Sequence, residues 1–173
     1  GAASSLAVIL DVLMDVGPIN IGFYGFERDR LSGKSLKSSL HDNSRLRCVF
    51  DSRTKMVEVL RRIKDGDFGF SVAVTGDLSE VLSMAKEAGL KPHTANISLG
   101  VFGKTEKLPE KEILEVTTMC GHGMVAAQLV ERRARDVRVG KLTTRQAAQE
   151  LAKLCVCGIF NPVRAERLLL AIA

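Results

Sequence analysis

Short runs rich in β-branched and aromatic residues alternate with stretches of helical periodicity between residues 45 and 119. The β-rich runs lie near 46–51, 69–75, 95–102 and 113–118, and the helical patterns cover 55–65 and 78–89. Such alternation is typical of α/β proteins. We therefore expect a single α/β domain over residues 1–173, with a small mixed or parallel sheet of about four to five strands covered by helices.

Helical patterns also occupy both ends of the chain. Apolar residues recur at helical spacing over 4–16, and the run 19–26 that follows has the composition of a strand. Three further helices are expected after residue 120, the first beginning near Gly123 and the last opening at Asn161-Pro162 with Asn as N-cap. The sequence therefore predicts a sheet-forming half, about 45–119, and a C-terminal helical half, about 120–173.

The charge of the chain is concentrated in that helical half. Residues 120–173 carry nine basic and four acidic side chains, an excess equal to the net charge of +5 for all 173 residues. Such an asymmetry favours an anionic small molecule or an acidic protein as partner, with nucleic acid as a further alternative. We expect an anion at the start of the helix near Gly123, where backbone N–H groups lack partners.

The cysteine content and the N-terminal sequence indicate a compartment. Four cysteines in a chain of 173 residues do not make a disulfide scaffold, and Cys48 lies in an apolar run typical of a core strand. The apolar run 6–10 is too short to span a membrane, and no basic residue precedes it. We therefore expect a cytoplasmic protein without membrane association, and a homo-oligomer remains possible.

Two glycine-containing turns carry the residues best suited to chemistry. The first is Cys120-Gly121-His122-Gly123, whose glycines let the backbone approach a ligand and whose following helix can stabilise a thiolate. The second is the C-x-C pair Cys155 and Cys157, followed by Gly158. Two helices that form a hairpin separate the turns and return the chain to its starting level. We therefore expect the two turns to lie close together, with Cys120, His122, Cys155 and Cys157 converging.

Three interpretations of this constellation remain open. The four side chains make a Cys₃His set for structural zinc, or the three cysteines hold an iron–sulfur cluster, which the neighbouring glycines favour through their N–H groups. Alternatively, Cys120 is a catalytic thiol assisted by His122 without a metal. The ordinary alternative is that the cysteines simply pack in the core. A metal- or cluster-binding protein with redox or accessory function is our principal expectation, and whether it is an enzyme stays undecided.

Residues 142–170 favour a different function. The helix beginning at Thr143 or Thr144 and the helix bearing Arg164 and Arg167 resemble a DNA-binding helix-turn-helix. The turn between them is longer than the usual 3–4 residues of that motif. Salt-dependent binding to duplex DNA would distinguish a regulator from a cluster protein, which would be coloured when purified without air.

Overall fold

Helices make up most of the secondary structure. A computed structural model describes residues 1–26, 29 and 32–173, and the elements are α1 (Ala2–Val16), β1 (Asn20–Gly22), β2 (Arg47–Val49), α2 (Arg53–Gly66), α3 (Leu78–Glu87), α4 (Lys111–Thr117), α5 (Ala127–Arg138), α6 (Thr144–Lys153) and α7 (Pro162–Ile172). A single 3₁₀ turn spans Thr105–Lys107. Within these described ranges, no helix is both long and apolar enough to cross a membrane.

The expected α/β sheet of four to five strands is wrong. β1 and β2 form a two-stranded antiparallel sheet in which Ile21 faces Cys48, and the described ranges contain no further strand. The runs 69–75 and 95–102 adopt neither helix nor strand, and the run 113–118 falls mainly within α4. The architecture is therefore mainly helical.

The physical reason differs between these runs. The β-branched residues Ile113 and Val116 of α4 favoured a strand by their composition. They are three positions apart, however, so both lie on one buried face of a helix. In 95–102 the apolar side chains are exposed, and Leu99 has 90% of its surface accessible. A strand is stabilised by its neighbours, and β propensity alone does not hold an unpaired segment.

The chain divides into two compact units. The first comprises Gly1–Pro18, Leu40–Ser44 and Phe50–Gly100, and within it α1 packs on α2 and α2 packs on α3. The buried side chains Val57, Leu60 and Ala88 form its core between α2 and α3. The helices expected at 4–16, 55–65 and 78–89 are confirmed here, including the N-cap of α3 at Asp77.

The second unit comprises Ile19–Ser39, Arg45–Val49 and Val101–Ala173, and it holds the sheet and α4 to α7. Helix α6 packs extensively on α7, while α5 contacts both α4 and α6. Its core contains fully buried Val116, Val130, Leu151, Phe160 and Leu169. The three helices expected after residue 120 are confirmed, although the first begins at Ala127 and not near Gly123.

Candidate functional site

The turn that carries His122 connects two helices. The sequence placed it after a strand, but α4 ends at Thr117 and the chain then turns twice before α5. The Cys120 N–H donates to the Thr117 carbonyl at 3.1 Å, and the Gly123 N–H donates to the Cys120 carbonyl at 3.0 Å. These bonds place the Cys120 side chain in the core, where it is 3% exposed, and leave His122 at the surface.

The C-x-C turn lies between α6 and α7. The Cys155 N–H donates to the Ala152 carbonyl at the end of α6, and the Gly158 N–H closes the turn on the Cys155 carbonyl at 3.2 Å. Gly158 has φ +75°, a left-handed conformation that favours glycine. Cys155 is 6% exposed, and Cys157 has no accessible surface. Both thiols are therefore held in the core by the geometry of a tight turn.

The structure brings three of the predicted site residues into contact. The Sγ atoms of Cys155 and Cys157 are 3.8 Å apart, and Cys157 Sγ lies 3.5 Å from His122 Nδ1. Cys120 belongs to the same core cluster, but among the described residues no hydrogen bond joins its thiol to the other three. The site is therefore a chain of contacts from Cys155 through Cys157 to His122.

Strand β1 and its continuation cover this chain of contacts. Asn20 Nδ2 donates to the Phe160 carbonyl at 2.8 Å, just beyond the C-x-C turn. The backbone of Gly158 abuts β1 so closely that a Cβ on this residue would clash with the carbonyl carbon of Ile21. The Tyr24 ring follows, with its centroid 5.9 Å from that of His122 and a tilt of 40°. Sequence reasoning missed these contacts, although the glycines interspersed in 19–26 are typical of close backbone approach.

The glycines of the two turns have different roles. Gly158 is required both by its positive φ and by the lack of space, since β1 occupies the position of a side chain. Gly123 has φ +68°, but nothing lies within 4 Å of a Cβ placed there. Gly121 has neither constraint. Cofactor binding by Gly121, Gly123 and Gly158 thus stays a prediction, and only Gly158 has a packing explanation.

The metal expectation meets a geometric obstacle. Among the described residues, no group of three or more His, Cys, Asp or Glu side chains is arranged to hold a metal ion. All four cysteines carry free thiols, and Cys48 lies in β2, opposite Ile21 of β1. Burial raises the pKa of the Cys48 thiol to about 11, which makes it a poor nucleophile at neutral pH.

The other expected sites remain predictions. An anion was expected at a helix start near Gly123, but α5 begins at Ala127. The N-cap residue of α5, Ala126, makes no side-chain hydrogen bond. The helices of the expected helix-turn-helix are α6 and α7, and the intervening segment 154–161 contains the C-x-C turn. Arg164 in α7 pairs with Glu115 at 3.4 Å, so part of its charge is already compensated.

Comparisons with known proteins add no functional assignment. Neither a protein-family model, nor a curated protein, nor a solved structure matches this chain.

Proposed function

We propose that the chain is a thiol–disulfide exchange protein whose redox pair is Cys155 and Cys157. The supporting observation is that Cys157 Sγ contacts two groups. It lies 3.8 Å from Cys155 Sγ and 3.5 Å from His122 Nδ1. A thiol next to a proton acceptor and a resolving thiol has the three groups that exchange requires. The reducing cytoplasm is the proposed location, since it keeps such thiols available.

The exchange proceeds in two steps with a disulfide as the second reactant. Cys157 transfers its proton to His122 Nδ1, and its thiolate attacks one sulfur of the substrate disulfide, so that a mixed disulfide forms and one substrate thiolate leaves. Cys155 then loses its proton and attacks Cys157 Sγ, which releases the second substrate thiolate. The two protons pass to the two leaving thiolates. Two electrons move from the protein dithiol to the substrate, and the protein is left with a disulfide between Cys155 and Cys157.

The assignment of roles follows from the distances. Cys157 is the attacking residue because its sulfur, and not that of Cys155, contacts His122. Cys155 is the resolving residue because it lies two positions away in the same tight turn. Closing the disulfide shortens the sulfur separation from 3.8 Å to about 2.05 Å. Cys120, which the sequence indicated as the catalytic thiol, has no hydrogen bond from its thiol to His122 or to another thiol among the described residues, and it is a core residue in this proposal.

Metal binding is the second candidate, and the same two distances favour it. With bonds of about 2.3 Å to sulfur and about 2.1 Å to nitrogen, tetrahedral zinc has S–S edges of about 3.8 Å and S–N edges of about 3.6 Å. The pairs Cys155–Cys157 and Cys157–His122 match these edges. Zinc requires further ligands around the same centre, and an iron–sulfur cluster would take Cys120 as a third thiolate. Dithiol chemistry ranks first because the described residues lack that third position.

One experiment distinguishes the two candidates. The chain is purified without air, analysed for zinc, iron and sulfide, and then treated with oxidised glutathione. We expect less than stoichiometric metal and the loss of two thiols, with a mass decrease of about 2 Da confined to the tryptic peptide 154–164. Cys155→Ala and Cys157→Ala abolish this decrease. Cys48→Ala is the matched control, since it removes a thiol that belongs to neither turn and leaves the disulfide unchanged.

His122→Asn tests the proton acceptor separately. Loss of a general base typically slows a proton transfer by about a hundredfold or more, so we expect disulfide formation at pH 7 to slow by a factor of that order. One equivalent of metal per chain that is lost in Cys157→Ala but retained in Cys48→Ala would replace the exchange function with metal binding. Absence of both metal and the 154–164 disulfide would overturn both candidates.

A further inference from the structure

The sulfur of Cys157 lies beneath two exposed rings. Cys157 has no accessible surface, yet its neighbour His122 is exposed and lies 3.5 Å from its sulfur. Tyr24 is 70% exposed, and the centroid of its ring lies 5.9 Å from that of the His122 ring. This separation is within the range of favourable aromatic pairs. His122 is therefore an exposed neighbour of the buried sulfur, and Tyr24 packs on His122 at the surface.

Tyr24 and His122 are both next to glycines in the sequence, and the space where a Cβ of those glycines would lie is empty. Gly25 follows Tyr24 with φ +94°, and nothing lies within 4 Å of a Cβ built on it. Gly121 and Gly123 flank His122, and their Cβ positions are equally open. Because glycine restricts the backbone least, the backbone beside both rings has more conformational freedom than it would have with other residues.

Strand β1 closes the backbone side of the turn. Gly158 abuts the backbone of Ile21 and Gly22, and a Cβ on Gly22 would lie 3.2 Å from the carbonyl group of Cys157. Asn20 fixes the position of this strand by its hydrogen bond to Phe160. Close-packed backbones do not part without breaking hydrogen bonds and contacts. The strand therefore blocks the backbone of the turn, whereas the exposed ring of His122 contacts the sulfur directly.

We infer that Tyr24 and His122 form a gate over Cys157 that admits low-molecular-weight disulfides and excludes disulfides of folded proteins. Tyr24 is a positioning residue in this gate, since it acts through its contact with His122. The substrate class rests on the proposed exchange function, whereas the gate itself concerns only access to the thiol. A folded protein cannot insert its disulfide beneath two rings, but a small molecule can enter when Tyr24 moves aside.

Alkylation rates test the gate without requiring exchange activity. The full chain is treated with iodoacetamide, a small reagent, or with fluorescein maleimide, a bulky one, and fragment ions assign the product to Cys157. In Tyr24→Ala we expect alkylation of Cys157 to be about three- to tenfold faster, the factor corresponding to loss of one aromatic pair. The gain is larger for the bulky reagent. Tyr24→Phe retains the ring and behaves as wild type.

Leu170→Ala is the matched control, because Leu170 is 73% exposed on α7 and its substitution also removes a large exposed side chain. Its alkylation rates should equal those of the wild type. Equal rates in Tyr24→Ala and wild type for both reagents, or equal acceleration in Tyr24→Phe, would overturn the gate. Tyr24→Leu provides a second variant that fills the position without a ring and should match Tyr24→Ala.

Failure of the gate and failure of the proposed function give different results. If Tyr24→Ala leaves alkylation unchanged while the Cys155–Cys157 disulfide still forms, the gate is wrong and exchange stands. If alkylation accelerates as expected but no disulfide forms with oxidised glutathione, the gate stands and the exchange function is wrong.

Discussion

The candidate site depends on the absence of a side chain at Gly158. Its hydrogen atom occupies the place where any side chain would meet the β1 backbone. The same residue closes the C-x-C turn by its N–H bond to Cys155. Packing of β1 and placement of the two thiols are therefore coupled through one glycine, although glycine itself contributes no chemistry.

Substitution of three glycines by alanine should give three graded results. Gly158→Ala combines an unfavourable positive φ with a backbone clash and should lower the free energy of unfolding by about 3 kcal/mol or more. Gly123→Ala meets only the unfavourable φ, at about 1–2 kcal/mol. Gly121→Ala meets neither and should stay within about 0.5 kcal/mol of wild type. Urea unfolding measures all three, and equal losses at Gly158 and Gly121 would contradict the described packing.

Cys48 should be an inert thiol at neutral pH. Burial disfavours the charged thiolate and raises its pKa from 9.0 to about 11. At pH 8 only about one molecule in a thousand then carries the thiolate, compared with about one in ten for the unfolded chain. Alkylation of native Cys48 should accelerate about tenfold per pH unit between pH 8 and 10, since only the thiolate reacts.

The control for Cys48 is the same chain in urea, where the rate should begin to level off near pH 9. A similar levelling in the native protein would show that the pKa is not raised. The raised pKa of Cys48 also makes the stability of the fold depend on pH. The unfolded chain loses the Cys48 proton first, so this group lowers the stability of the fold as pH rises from about 9 to about 11.

At the scale of single elements, capping determines where the last helix begins. The Asn161 side chain accepts a hydrogen bond from the Arg164 N–H at 2.8 Å, and Pro162 occupies the first helical position. Both features are local and belong to residues adjacent in sequence. This is why the start of α7 agrees with the expectation from sequence, whereas the start of α5, which has no side-chain cap, does not.

Removal of the cap should destabilise α7 by a predictable amount. Asn161→Ala leaves the Arg164 N–H without its side-chain partner and should cost about 1 kcal/mol of stability. Asn161→Asp retains an acceptor oxygen at the same position and should remain within about 0.5 kcal/mol of wild type. Chemical unfolding followed by circular dichroism provides the comparison. Equal stability of the alanine and aspartate variants would show that the cap contributes nothing.

At the scale of the molecule, each compact unit has its own set of buried side chains. In the second unit the buried residues of α4 to α7 meet around Phe160, which has no accessible surface. Cys120, Cys155 and Cys157 belong to this same cluster. The thiols of the candidate site are therefore part of the hydrophobic core, so the stability of the core and the reactivity of the thiols are linked.

Phe160→Ala tests this core. Removal of a fully buried aromatic side chain leaves a cavity and should cost about 3–5 kcal/mol. Leu99→Ala is the control, because Leu99 is 90% exposed and its truncation should change stability by less than about 0.5 kcal/mol. The measurement is the midpoint of urea unfolding. A loss below about 1 kcal/mol in Phe160→Ala would indicate that the core does not stabilise the unit.

The sequence by itself determined the features that depend on neighbouring residues. Helical periodicity predicted α1, α2, α3, α5, α6 and α7, and capping residues located several of their starts. The C-x-C spacing and the Cys120–Gly123 turn also identified the residues among which contacts are found. These signals are reliable because hydrogen bonds within a turn and the 3.6-residue period involve residues at most a few positions apart.

Only the tertiary structure decided which β-rich runs pair and which thiol contacts the imidazole. Ile21 pairs with Cys48, and His122 lies against Cys157, 35 positions away in the chain. Strand formation requires a partner at a particular register, and β propensity is therefore satisfied in β1 and β2 but not in 95–102. Contacts between distant residues result from packing of whole helices, and no local pattern in the sequence encodes the distance between two side chains.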